Sequence, residues 1–242
     1  QVDPSGYADR FGGITAFTDL VLDAVANASR ATGLGMAVVI AANRTRHPLD
    51  ARTLARLAAQ SAGRGVVGFG LSNDERRGLT ADFAPAFAIA SRAGLRLVPH
   101  GGELLGSGSV RTCMEQLRAD RLGHGVRSVE DPAVLEQVVA RGIALEVCPV
   151  SNVSLGVYSD LTSVPLPILL DAGATVALGA DDPLLFGSQL AAQYATMRAA
   201  HDLDDATLAE LARMSLRASC APSDVLARAF ADIDAWLASP CS

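Results

Sequence analysis

The sequence predicts an α/β protein built on a parallel sheet. Two observations carry this prediction. Short apolar, β-branched runs alternate with longer stretches whose apolar residues recur at i, i+3 and i+4. The short runs also lack the polar alternation of half-exposed strands, which suits strands covered on both faces by helices. Two architectures satisfy this order: an open doubly wound sheet, or a (β/α)8 TIM barrel short of two units at its N-terminus. No GxGxxG or Walker-type loop follows any of the runs, so the nucleotide-binding open sheet has no support.

In order along the chain, Gln1-Val2-Asp3-Pro4-Ser5-Gly6 reads as the end of a strand running into a loop. The chain is therefore expected to be a fragment lacking its N-terminal strand or strands. At roughly 30 residues per βα unit, about 60 residues or more would precede it. Strands are expected at residues 36–41, 66–70, 95–99, 122–126, 143–147 and 175–179. Helices are expected between them at 17–29, 51–62, 82–93, 109–119, 133–141 and 164–172, where the apolar spacing follows a helical face. Gly33, Gly35, Gly94, Gly142 and Gly173 fall at helix ends, where a left-handed residue is wanted. After the last strand the pattern changes to three successive extra helices, at 188–200, 205–218 and 223–238, with Ser223-Asp224 as an N-cap of the last. No composition shift divides the chain, so residues 1–242 are expected to form one domain.

Composition narrows the function. Half of the 242 residues are hydrophobic and mean hydropathy is +0.27, which excludes a disordered chain. No apolar run approaches the roughly 18 residues of a membrane span. A net charge of −6 argues against a nucleic acid or an anionic membrane as partner, and 5% aromatics argues against base-stacking platforms. The four cysteines, Cys113, Cys148, Cys220 and Cys241, have no CxxC spacing and read as reduced thiols of a cytoplasmic protein, with Cys241 exposed. No charged segment followed by an apolar core opens the chain as a signal peptide would.

Polar residues collect at the C-terminal ends of the expected strands, the face on which a parallel barrel places its active site. One strand delivers His100-Gly101-Gly102-Glu103, the next Gly123-His124-Gly125, the next Glu146 and then Cys148-Pro149-Val150-Ser151-Asn152, and the last Asp181-Asp182-Pro183. Two of the chain's four histidines thus sit at equivalent strand ends beside glycine, which lets a ligand or metal approach the backbone closely. His47 and His201 lack such a context and read as solvent-facing. Each site residue has a structural alternative. Asp181 or Asp182 fits a helix N-cap followed by proline, Glu103 fits a first-turn helix acid, and Cys148 fits a buried structural thiol.

The ordered set His100-x-x-Glu103, Gly123-His124-Gly125, Cys148-Pro-x-Ser151-Asn152 and Asp181-Asp182-Pro183 resembles the adenosine deaminase family of the amidohydrolase superfamily, over essentially the whole chain. The resemblance implies a (β/α)8 barrel holding one Zn2+, with His100 and Asp181 as metal ligands; iron or manganese would accept the same donors. It implies His124 as the base toward the attacking water and Glu103 as the proton donor to the purine ring. Asp182, Asn73 and Gly102 would contact a small-molecule nucleoside, and the product would leave with ammonia. No nucleic acid or membrane partner is implied, and an oligomer is open.

Two departures matter. The family's His-x-His metal pair is absent from this chain, which favours either the fragment expectation, with this polypeptide inactive alone, or a non-catalytic nucleoside-binding barrel. In Gly68-Phe69-Gly70-Leu71-Ser72-Asn73-Asp74-Glu75, glycine stands where the family usually has an acid, and Asn73 stands where it has a substrate-contacting glycine. The stretches 151–158 and 182–187 also resemble the branch acting on 6-amino-6-deoxyfutalosine, an adenosine-like nucleoside of a menaquinone pathway. Arg44, Arg46 or Arg127 would then pair with its benzoate, although each also reads as a solvated surface charge. Adenosine or adenine is the alternative substrate.

Overall fold

The computed structural model describes residues 1–239. Cys241 lies outside them. The chain divides into two compact units, Gln1–Gly123 and the remainder from His124.

The first unit opens with Val2 in a parallel bridge to Ile40, a 3-10 turn at Pro4–Gly6, and helices α1 (Ala8–Phe11) and α2 (Ile14–Thr32). There follow β1 (Val38–Asn43), α3 (Pro48–Gln60), β2 (Val66–Ser72), α4 (Ala84–Arg92), β3 (Arg96–Gly101), α5 (Ser107–Gln116) and β4 (Arg121–His124), whose last residue is the first of the second unit. Strand β1 pairs parallel with β2, and β2 with β3 in the register Gly70↔Val98. These three strands are thus laid side by side in chain order, each joined to the next through a helix.

The helices form for identifiable reasons. In α3, Pro48 supplies a preset first-turn φ and His47 Nδ1 accepts from the Leu49 amide at 3.2 Å. Its buried face is Ala51, Leu54, Ala55 and Ala58, spaced i, i+3, i+4, i+7. That face packs against α4. Inward from the helices, Phe69 of β2 meets Phe87 of α4 edge-on with ring centroids 5.1 Å apart, and both rings are buried. The expected helix at 82–93 is split into a 3-10 turn at Thr80–Phe83 and α4, because Pro85 enters in the first turn of a new helix.

The second unit contains α6 (Pro132–Ala140), β5 (Ala144–Val147), α7 (Pro149–Ser154), α8 (Leu166–Asp171), β6 (Val176–Leu178), α9 (Pro183–Phe186), α10 (Leu190–His201), α11 (Asp205–Ala218) and α12 (Ser223–Ala238). Strands β5 and β6 pair parallel. Leu145, Leu166, Leu169, Met197 and Leu211 are fully buried and form its core. Helix α6 starts as its sequence dictates, with Asp131 accepting from the Ala133 amide at 3.0 Å and Pro132 next.

Among the described residues, the six strands, the helices between them and the three C-terminal helices overlap the expected spans, in the expected α/β class. Several local expectations are corrected. Gly33, Gly94, Gly142 and Gly173 have positive φ, but Gly35 does not. The N-cap of α12 is Pro222 without a side-chain cap, and Ser223 is the first helical residue. His201 is half-buried at the end of α10 rather than solvent-facing. Strand β4 stops at His124, two residues early, because His124 and Gly125 both turn left-handed, with φ of 66° and 67°.

Candidate active site

In the first unit, β3 carries His100 to its C-terminal end. The ring lies directly on Gly123: a Cβ there would come within 2.9 Å of His100 Nε2 and overlap Cδ2. Gln1 Nε2 lies 3.1 Å from His100 Nε2. The His100 carbonyl accepts from Arg44 Nη2 at 2.7 Å, and Arg44 Nη1 donates to Thr80 Oγ1 at 3.0 Å. Arg44 is 1% exposed, so it is not a solvated charge. Burial pulls its pKa below the usual guanidinium value, against the opposing pull of neighbours that include Glu75 and Glu103.

Beyond β3 the chain turns through Gly102, at φ 74°, into Glu103. Glu103 is 6% exposed and precedes α5 by several residues, so it is not a first-turn helix acid. The backbone there wraps a second carboxylate. Glu75 accepts from the amides of Gly102 (2.6 Å), Glu103 (2.9 Å) and Leu105 (2.9 Å) and from the Ser109 hydroxyl. Asn73, after β2, is exposed with φ 79° and its Oδ1 accepts from the Asp74 amide. That conformation explains the departure from glycine, because asparagine is among the few side chains that tolerate the left-handed region.

In the second unit, His124, Cys148 and Asp181 each offer one ligand atom, all within 4.8 Å of one another. His124 and Cys148 are buried, and Asp181 is exposed. Asp181 sits at φ 56°, and the Ser151 hydroxyl donates to its Oδ2 at 2.6 Å. Asp182 takes the capping role, accepting from the Leu185 amide at 3.3 Å at the start of α9. The two adjacent acids therefore diverge, one into the donor cluster and one onto the helix. Cys148 is buried, as the structural alternative had it, but it sits among the donors, and a Cβ on Gly179 would come within 2.9 Å of its Sγ. Asn152 is fully buried and neither polar atom of its carboxamide has a partner among the described residues.

Among the described residues, three of the five non-glycine residues with positive φ are Asn73, His124 and Asp181. Each costs on the order of 1–3 kcal/mol and persists where the surroundings over-determine it, which is common at functional sites. The imidazole, thiol and carboxylate of His124, Cys148 and Asp181 are donors of the kinds zinc accepts, so the residues fit a metal ion.

Sequence reasoning missed Glu75, and it named Arg44 and Ser151 without the roles the structure gives them. Glu75 stands in a polar stretch with no motif of its own. Arg44 looks like a surface charge, and Ser151 belongs to a recognised motif without a role attached. Only the hydrogen-bond geometry exposes their roles, Glu75 as an acceptor and Arg44 and Ser151 as donors.

A Streptomyces virginiae protein provisionally named an adenosine/adenine deaminase is 60% identical over 237 residues, covering 98% of this chain and 70% of that protein. An adenine deaminase from Chelativorans sp. is 38% identical over 216 residues, covering 89% of this chain and 66% of the relative. The crystal structure of an adenine deaminase from Arthrobacter aurescens superposes with a TM-score of 0.92 at 26% identity, over 98% of this chain and 72% of that one. A Burkholderia ambifaria amidohydrolase solved with bound Zn shares the fold, with a TM-score of 0.82 at 21% identity over 98% and 68% of the two chains. Fold, polar strand ends and relatives together define a hydrolytic deaminase. The adenosine deaminase family model matches residues 1–236, and the chain belongs to that family.

Proposed function

We propose that the protein is a metal-dependent aminohydrolase that converts a 6-aminopurine, adenine or adenosine, to its 6-oxo product with release of ammonia. The observation that carries this reading is that the His124 imidazole lies within 4.8 Å of the carboxylate of Asp181, the proposed ligand, which Ser151 orients. His100 and Asp181 would hold the metal, with zinc preferred over iron or manganese. A bound zinc supplies Lewis acidity and lowers the pKa of a water to about 7.

The chain's own groups do the rest. His124 takes a proton from the water that adds to C6. Glu103 gives a proton to the ring nitrogen beside C6, which makes that carbon electrophilic. The C6–N bond then breaks, the departing amino group takes up a proton, and ammonia leaves. Gly102 and Asn73 line the approach of the purine. Asp182 spends Oδ1 on the α9 cap, which leaves Oδ2 for the five-membered ring.

The names of the relatives favour adenine and adenosine over 6-amino-6-deoxyfutalosine. A benzoate-bearing substrate needs a cation. Arg44 is buried and engaged with Thr80 and the His100 carbonyl, and Arg127 is ion-paired with Glu130 at 2.6 Å. Arg46 is the exposed member of the three. The test is ammonia release by the full-length protein from adenine, adenosine and 6-amino-6-deoxyfutalosine, with and without a chelator. Chelator-sensitive turnover of adenine or adenosine supports the reading. Turnover of the futalosine derivative alone, or turnover indifferent to metal removal, overturns it.

A further inference from the structure

We propose that Glu75 is a positioning residue that holds the Gly102–Glu103 backbone, and through it the Glu103 carboxyl, in the geometry for proton donation. The proposal rests on the assignment of Glu103 as proton donor. Glu75 is 2% exposed, and its hydrogen-bond partners are neutral groups: three backbone amides and one hydroxyl. Each of its two oxygens serves two donors. Oε1 takes Gly102 and Ser109, and Oε2 takes Glu103 and Leu105. A buried carboxylate is costly to desolvate, and charge-assisted bonds from fixed amides are what makes it tolerable.

The consequence lies in what those bonds orient. The amides of residues 102, 103 and 105 all point at one centre, so the chain is bent around Glu75 and the Cα–Cβ direction of Glu103 follows. Ser109 ties the same centre to the first turn of α5. Gly102 contributes the positive φ that lets two successive amides face one carboxylate. Glutamine fits the same space but presents an N–H where an amide N–H already points, so one backbone donor loses its acceptor. Aspartate is a methylene short of the ring of donors.

A structural anchor and a positioning residue differ in how they combine with Glu103. The experiment uses the full-length protein loaded with zinc, and compares Glu75→Gln, Glu103→Gln, the double variant and Ser109→Ala by kcat, KM and thermal midpoint. Glu75→Gln is expected to lower kcat on the order of 10²-fold, the scale of an ångström-level misplacement, with KM changed by about 3-fold or less. In the Glu103→Gln background the same change should cost about 3-fold or less, because residues acting as one unit are not additive. Ser109→Ala keeps the carboxylate and removes one donor, so it tests the same coupling if Glu75→Gln does not fold; it should lower kcat by roughly 3- to 10-fold and add nothing to Glu103→Gln. Losses that multiply in the double variants, or an unchanged kcat in a folded Glu75→Gln protein, overturn the proposal while leaving the Glu103 assignment standing. A Glu103→Gln protein with full kcat overturns that assignment and this proposal with it.

Discussion

The imidazole of His100 rests on the bare α-carbon of Gly123, in a gap too small for a methyl group. That contact gives the glycine before His124 a structural reason to be glycine. Gly123→Ala would push the ring of His100 aside, since the added carbon would come within 2.9 Å of Nε2. Activity of the full-length enzyme should fall at least on the order of 10²-fold, and stability by about 1–3 kcal/mol from overpacking. Activity and denaturant titration of the purified variant check both; full activity would contradict a role for the position of His100.

Ser151 and Asp181 form the corresponding pair in the second unit. Removing the hydroxyl that donates to Asp181 Oδ2 at 2.6 Å leaves a proposed metal ligand without its orienting bond. Ser151→Ala should weaken metal affinity by about 10- to 100-fold, the range for partners of metal ligands. Competition against a zinc indicator measures this directly, and an unchanged affinity would remove Asp181 or Ser151 from the metal site.

Asn73 holds a left-handed turn at φ 79°. Asn73→Gly is expected to fold with near-parental stability, whereas Asn73→Ala should lose about 1–2 kcal/mol because Cβ strain is no longer offset by the local hydrogen bond. Chemical denaturation of the two variants side by side decides it. Equal stabilities would show that the backbone is not held there.

Cys113 is fully buried under Gly101, and burial raises its thiol from the ordinary 9.0 to about 12. In the unfolded chain the thiol ionises near its ordinary value, while in the folded chain it stays protonated. The unfolded state is therefore favoured progressively as pH rises from about 9 to about 12, and below that window the thiol contributes no pH dependence. The slope from this one group is about 1.4 kcal/mol per pH unit. Replacing Cys113 with alanine should flatten the alkaline loss of stability, measured by denaturant midpoints between these pH values. An unaltered alkaline limb would show that the thiol ionises in place.

The rings of Phe69 and Phe87 join strand to helix in the first unit. Phe87→Ala should destabilise the protein by about 3–5 kcal/mol through lost burial and the cavity left behind. A denaturant titration monitored by circular dichroism tests this; a loss below 1 kcal/mol, on the scale of an exposed site, would place the ring outside the core.

The strand ends were legible because apolar runs are a local signal. His100, Glu103, His124 and Asp181 stand at or just beyond the ends of such runs in the sequence, while the roles proposed for them come from the family resemblance. The split of Asp181 and Asp182 could not be read from position, since both acids precede the same proline and only the turn at Asp181 decides which one caps α9. Glu75 was invisible because its partners lie 27 to 34 residues along the chain. Arg44 read as a surface charge because sequence registers charge and not the neighbours that compensate its burial.

By itself the sequence determined the class of fold, the order of strands and helices, and the polar strand ends, all properties of short windows in which periodicity and residue type are sufficient. Tertiary structure decided which of those polar groups are buried, which accept from which donor, and where a glycine makes room for a ring. These depend on long-range packing, in which residues far apart in the chain come within hydrogen-bond distance, and no local pattern encodes that distance.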